Sequence, residues 1–378
     1  MKYVLVPDSF KGTMSSKEIC SIMQEQIYKH EPNATVVAIP VADGGEGTVD
    51  CFLDSIGGDK IELNACGPFL EERIDTYYGI VDNGQTAIIE MSACAGLPRV
   101  ENRANPMNTT TFGVGECILH AAKRGVKKII IGLGGSATND AGCGAAAAIG
   151  VKFYDADNKI FIPTGGTLSL IDHIDLSQKS TYLDGIEMVA MCDIDNPVYG
   201  KNGAAYIFAP QKGADQNMIK LLDDGLIHFS DVLKRKLNID IAKVRGGGAA
   251  GAMGAGMIAF FDARLQMGID TVLDVVNFER LSENADLILT GEGKIDTQSL
   301  QGKAVIGVAR RAKKMNIPVI AVVGDIGDNI DKVYMEGVNG IISINRIATD
   351  FQTAKTRARS DMALTIDNLL HMIDVFKK

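Results

Sequence analysis

The chain has 378 residues, 46% of them hydrophobic and 22% charged, with a formal net charge of −9, which is ordinary for a soluble globular protein long enough for two domains. The acidic balance and the lack of any Lys/Arg block argue against a nucleic-acid partner. The longest weakly polar run, 246–261, is Gly/Ala-rich and stops at Asp262, too short and small-sided for a membrane span.

The chain opens on a predicted strand at 2–7, cut short by Pro7 and Asp8, rather than on a signal peptide. A helix is predicted over 15–29, with Ile19, Ile22, Met23 and Ile27 on one face and Ser15 or Ser16 as cap. A strand at 35–41, a helix at 45–56 and a strand at 60–64 follow. Residues 74–81 and 85–91, joined at Asp82-Asn83-Gly84, read as a β-hairpin. Next come a helix at 112–124, a strand at 128–132, a small-residue helix from 143 to 150 and a strand at 187–192. The alternation returns with strands at 285–289, 318–323 and 340–344, and helices at 303–315, 331–336 and 353–376.

This rhythm predicts an α/β fold of two domains. Residues 1–65 and 285–378 make a Rossmann- or flavodoxin-like parallel sheet from both termini, and 66–284 form an inserted second α/β domain, with the active site in the cleft between them.

The carboxyl ends of the strands carry the chemistry. Ile129 to Gly144 runs from a β-branched strand into Gly134, Gly135, Ser136, Thr138, Asn139 and Asp140; backbone N–H groups and hydroxyls at a helix start suit phosphate. The first strand ends in Asp8-Ser9-Phe10-Lys11-Gly12, and the second in a loop holding Asp43 and Glu46. The strand after 284 leads to Glu292 and Asp296. If the insertion falls at the winding reversal, the first and last of these loops flank one crevice. Asp193 and Asp195 after a strand can hold Mg²⁺ or act as base toward a hydroxyl. Lys212 supplies a cation beside a turn, and Arg245 brings a guanidinium to the loop of Gly247 and Gly248.

Each such loop has a plainer reading as a turn or a helix cap; the number of acids and cations beside glycine favours a phosphate-handling enzyme. Gly132-x-Gly134-x-x-Ala137 and Gly246-x-Gly248-x-x-Gly251 imitate a dinucleotide fingerprint. The first lacks an acid ending the next strand, and the second lacks a good preceding strand. No P-loop motif occurs. The five histidines lie outside the Gly/Asp-rich loops, and the seven cysteines form no C-x-x-C pair, so a reduced cytoplasmic setting is expected and Ser-His-Asp or zinc-protease chemistry is not.

Taken in order, DSFKG (8–12), ADGGEGT (42–48), GGSATNDAG (134–142), CDIDNP (192–197), PQKGA (210–214), GGGAAG (246–251) and GEGKID (291–296) resemble the type-1 glycerate kinases over nearly the whole chain. The resemblance implies ATP-dependent phosphorylation of D-glycerate with Mg²⁺, 2-phosphoglycerate being favoured over 3-phosphoglycerate, in organic-acid breakdown. In the mechanism expected from it, Gly134, Gly135, Ser136, Thr138, Asn139 and Asp140 bind the nucleotide. Asp193, Lys11 and Asp8 are the catalytic candidates, and Asp193 with Asp195 the metal candidates. Ser9, Asp43, Glu46, Lys212, Arg245, Gly247, Gly248, Glu292 and Asp296 are the substrate-binding candidates. A homodimer is allowed. The competing readings are an NAD-dependent dehydrogenase of a small hydroxy acid and a non-catalytic nucleotide or organic-acid sensor.

Overall fold

Tyr3, Val4, Leu5 and Val6 are wholly buried, as a parallel strand covered on both faces requires. They belong to Lys2–Pro7, which lies inside a five-stranded parallel sheet. Its order is Gly340–Ser343, Val319–Val323, Leu287–Gly291, Lys2–Pro7 and Thr35–Ala38. The chain leaves Lys2–Pro7 toward Thr35–Ala38 on one side and returns to Leu287–Gly291 on the other. The winding reverses between those two strands, in register from Tyr3↔Leu287 to Pro7↔Gly291.

On one face of this sheet the helices Ser16–His30 and Phe351–Phe376 pack together. Ser15 caps the first by accepting from the N–H of Glu18 at 3.2 Å. Ile19, Met23, Ile27, Met362 and Ile366 are all fully buried between helices and sheet, each contributing about 1.5–3 kcal/mol by leaving water. These elements form one of two compact units in the computed structural model, which describes residues 1–42 and 44–376. The unit holds Met1–Ala42 and the chain from Met267 onward; the other holds the chain between them, up to Gln266.

The second unit contains a six-stranded sheet in the order Arg264–Gln266, Glu187–Met191, Lys128–Gly132, Thr86–Glu90, Arg73–Val81, Asp59–Cys66. The first four strands are parallel and the last two antiparallel. Helices Phe112–Lys123 and Cys143–Ala148 pack on one another through their small residues, and a three-stranded sheet of Lys152–Tyr154, Ile160–Phe161 and His173–Asp175 lies within the same unit.

The α/β class and the parallel sheet built from both ends agree with the sequence pattern. The strand expected at 60–64 pairs differently. It runs antiparallel to Arg73–Val81, with Ile61 opposite Tyr78, and so lies in the second sheet. At the other junction Gly268–Val275 packs on Ala304–Lys314, so closely that a Cβ on Gly307 would come within 2.7 Å of Ile269. The units therefore divide at 42/43 and 266/267, rather than at the expected 65/66 and 284/285.

Candidate active site

In the second unit, Glu90, Gly132 and Met191 stand in register at the carboxyl edge of the sheet. The loop after Gly132 begins with a backbone-on-backbone contact. A Cβ on Gly132 would sit 2.3 Å from the Gly44 carbonyl oxygen, and one on Gly134 would sit 2.6 Å from Cα of Gly45. The Gly134 N–H donates to that Gly44 carbonyl at 2.9 Å. The glycine spacing that imitates a dinucleotide fingerprint thus serves packing between two loops, and the N–H of Gly134 is engaged there. Gly135, at φ +71°, turns the chain into Ser136.

The polar core of the loop is gathered around a buried lysine. Lys212 is 2% exposed, and its Nζ donates to Ser136 Oγ and to the Thr138 carbonyl, both at 2.7 Å. Burial pushes its ammonium down from the ordinary 10.5 to about 7, against the attraction of Asp140. Beside it, Thr138 and Asn139 are fully buried, yet Thr138 Oγ1 and both polar atoms of the Asn139 amide have no partner among the described residues. Buried polar groups are nearly always paired. Of the three unpaired atoms, Thr138 Oγ1 and Asn139 Nδ2 can donate a hydrogen bond and Asn139 Oδ1 can only accept one.

Asp140 does not share that freedom. Its carboxylate accepts from Thr111 N at 2.7 Å, Thr111 Oγ1 at 2.8 Å, Gly142 N at 3.1 Å and Gly144 N at 3.2 Å. It ties the start of Cys143–Ala148 to the 109–112 segment and holds the loop's shape. Burial is the main influence on it and raises its carboxyl, while these hydrogen bonds oppose the rise. The loop is buttressed from the far side by Ala250, Gly251 and Ala252, left-handed at φ 55°, 67° and 66°. A left-handed non-glycine residue costs roughly 1–2 kcal/mol. Here the turn lets the Gly251 carbonyl accept from Ala141 N at 3.1 Å, and a Cβ on Gly251 would lie 2.1 Å from the Thr138 carbonyl oxygen.

The remaining candidates of this unit stand on other loops. Asp193 and Asp195 are exposed on one loop, and Asp195 Oδ2 takes a hydrogen bond from Arg245 at 2.6 Å. The two residues expected to hold metal and substrate thus neutralise each other. Gly247 and Gly248 fold the Arg245 loop onto the same segment, Gly248 N donating to Asn196 O at 3.0 Å. Glu46 is exposed, and Asp43 lies outside the described residues. One acid went unnoticed in the sequence: Glu90 is 1% exposed and its Oε1 accepts from Val49 N at 2.6 Å. The signal was present, an acid closing the apolar strand Thr86–Glu90.

In the first unit, the paired strands Lys2–Pro7 and Leu287–Gly291 bring their following loops together, as the expected winding reversal requires. Asp8 N donates to Gly291 O at 2.8 Å, and Ser9 N to Asp8 Oδ1 at 2.6 Å. Glu292 is 5% exposed with Oε1 unpartnered among the described residues. Burial pushes its carboxyl up from 4.5 to about 7; Ser299 and Lys303 oppose the shift, and Asp8 and Asp296 add to it. Asp296 is occupied in a turn, accepting from Gln298 N at 2.9 Å. Lys11 is exposed on the neighbouring loop.

The glycerate kinase family profile matches residues 3–374. The chain belongs to the glycerate kinase family. A Bacillus cereus glycerate kinase is 44% identical over 370 residues, covering 98% of this chain and 97% of that one. An Escherichia coli glycerate 2-kinase is 41% identical over 345 residues, 91% of this chain and 90% of the relative. A crystal structure from Salmonella typhimurium LT2, assigned as glycerate kinase 2, superposes with a TM-score of 0.87 at 36% identity, covering 100% of this chain and 99% of that one. As a member of this kinase family the chain is a phosphotransferase, which sets the dehydrogenase reading aside. No helix among the described residues is long and apolar enough to cross a membrane.

Proposed function

We propose that this glycerate kinase family member transfers the γ-phosphoryl group of ATP to a hydroxyl of D-glycerate, giving 2-phosphoglycerate in preference to 3-phosphoglycerate, as a cytoplasmic enzyme. The observation that carries the reading is the seat around Lys212, where a buried amine stands beside two unpaired donors, Thr138 Oγ1 and Asn139 Nδ2, that an anion would satisfy. A polyphosphate supplies that anion. Its charge draws the proton back onto Lys212, so the ammonium is full when negative charge builds up on the transferring group. Ser136 is held in place by the same lysine, and Asp140 fixes the backbone that carries Thr138 and Asn139.

In the transfer, the glycerate oxygen forms a bond to the γ-phosphorus while the bond to the β,γ-bridging oxygen breaks, releasing ADP. The hydroxyl proton passes to Asp193. Such a reaction needs chiefly positioning and charge compensation. Arg245 supplies a cation for the glycerate carboxylate and loosens its exposed pair with Asp195 to do so.

Mg²⁺ suits the hard carboxylate oxygens of the 193–195 loop. Asp195, released when Arg245 turns to the glycerate carboxylate, would be its main protein ligand with Asp193 beside it, and the ion would supply charge neutralisation on the phosphates. The relative named glycerate 2-kinase supports transfer to position 2. Phosphorus NMR of the product from ATP and D-glycerate tests this. A 2-phosphoglycerate resonance is expected; 3-phosphoglycerate as the main product would reverse the regiochemistry, and no phosphoester would end the reading.

A further inference from the structure

Two histidines that the sequence pattern leaves as ordinary helix-face residues meet on the first unit. His30 closes the helix Ser16–His30, while Asp367, His371 and Asp374 lie along Phe351–Phe376. The apolar contacts of Ile19, Met23 and Ile27 with Met362, Ile366 and Leu370 fix these two helices side by side. As a result one ligand atom each from His30, Asp367 and His371 lies within 4.8 Å of the others. His30 Nε2 is 2.9 Å from Asp367 Oδ1, and His371 Nε2 is 4.0 Å from Asp367 Oδ2. The two imidazoles stand edge-on with centroids 4.6 Å apart.

The other nitrogen of His30 adds an independent observation. Nδ1 faces Asp374 Oδ2 at 3.6 Å. A metal-bound histidine characteristically gives its second N–H to a carboxylate, which fixes the ring and raises its basicity. His30 has a carboxylate-and-imidazole cluster on Nε2 and an outer carboxylate facing Nδ1, just beyond hydrogen-bond distance. Donors about 2.0–2.2 Å from a tetrahedral zinc ion lie roughly 3.3–3.6 Å from one another. The exposed His371 side chain, at 69% exposure, can rotate toward the pair, and His30 Nε2 and Asp367 Oδ1, 2.9 Å apart, separate slightly to admit the ion.

We propose that His30, Asp367 and His371 form a binding site for one late first-row divalent cation, Zn²⁺ foremost, with Asp374 as the outer carboxylate of His30. Two imidazoles and one carboxylate are a donor set for such ions rather than for Mg²⁺ or Ca²⁺. Water completes the coordination. The ion clamps the end of Phe351–Phe376 to the end of Ser16–His30, so the site is a structural one, separate from the phosphate-handling loops.

The test uses the full chain, stripped with chelator and titrated with Zn²⁺ by calorimetry alongside thermal melts. One ion per chain and an upward shift of the melting transition are expected. His371→Ala should weaken Zn²⁺ binding about tenfold or more, and Asp374→Asn about tenfold. Both variants should melt within about a degree of wild type in chelator, since both side chains are substantially exposed. With Co²⁺ in place of Zn²⁺, d–d absorption without a thiolate charge-transfer band is expected. A Zn²⁺ response of equal size in wild type and His371→Ala would overturn the proposal, as would a thiolate band or no response at all.

Discussion

Replacing Lys212 by methionine keeps the length and apolar stem of the side chain and removes its amine. Burial holds the lysine at about 7 against the ordinary 10.5. Each pH unit of that gap costs the folded state about 1.4 kcal/mol, about 5 kcal/mol in all. The substitution also deletes two hydrogen bonds, to Ser136 Oγ and the Thr138 carbonyl, worth about 1 kcal/mol each net, and leaves those acceptors short of a donor. The balance makes Lys212→Met more stable than wild type by about 2 kcal/mol near neutral pH.

The sign across pH follows from proton counts. Between about 7 and 10.5 the unfolded chain keeps a lysine proton that the folded chain has released, so wild-type stability rises with pH through that window. The penalty is complete below about 7 and gone above 10.5. The variant's advantage should therefore be largest near pH 6.5 and vanish or reverse by about pH 10. Denaturant melts followed by circular dichroism at both pH values measure it, and the same samples should have lost turnover by about a hundredfold or more. A variant less stable than wild type by the same margin at both pH values would refute the reasoning, because Lys212 would then be a satisfied cation.

Asn139→Leu removes a buried amide with two unpaired atoms, so stability should hold or rise by roughly 1 kcal/mol, while kcat/KM for ATP falls about tenfold or more; unchanged steady-state kinetics would take Asn139 out of the seat. Glu292→Gln addresses a carboxyl raised from 4.5 to about 7. Through that window the folded chain holds a proton that the unfolded chain has lost, so wild-type stability falls as pH rises. The glutamine variant should match wild type near 4.5 and exceed it above 7, and a pH-independent gap in melting temperature would count against Glu292 as the titrating group. Asp193→Asn should lower kcat about a hundredfold with an unchanged circular dichroism spectrum, and near-normal turnover would remove it from proton transfer.

Local pattern carried most of the fold. The β-branched runs at 2–7 and 128–132 appear as the strands Lys2–Pro7 and Lys128–Gly132, because short apolar segments bounded by Pro, Asp or Gly have few other ways to be buried. The strand at 60–64 was legible as a strand but not as a partner. Asp59–Cys66 alternates exposed and half-buried along most of its length, the mark of an antiparallel strand with one wet face, whereas Lys2–Pro7 is buried almost throughout.

The site was legible as loops and not as contacts. Pro210-Gln211-Lys212-Gly213 announces a turn, yet the burial of Lys212 depends on Ser136, 76 residues away. The Asp195–Arg245 pair spans 50 residues, and nothing near either residue foretells it. Asp140 looks like a reactive acid until Thr111, Gly142 and Gly144 are seen to saturate it. Burial and long-range pairing decide which acids and cations stay available, and both arise only once the sheets are assembled.

The most direct test of the central claim is D-glycerate-dependent ADP release by wild type and Lys212→Met, measured side by side at neutral pH with ATP and Mg²⁺. One ADP per glycerate phosphorylated is expected for wild type, and a rate about a hundredfold lower for the variant. No ADP above the glycerate-free background in wild type, or equal rates in the two proteins, would contradict it.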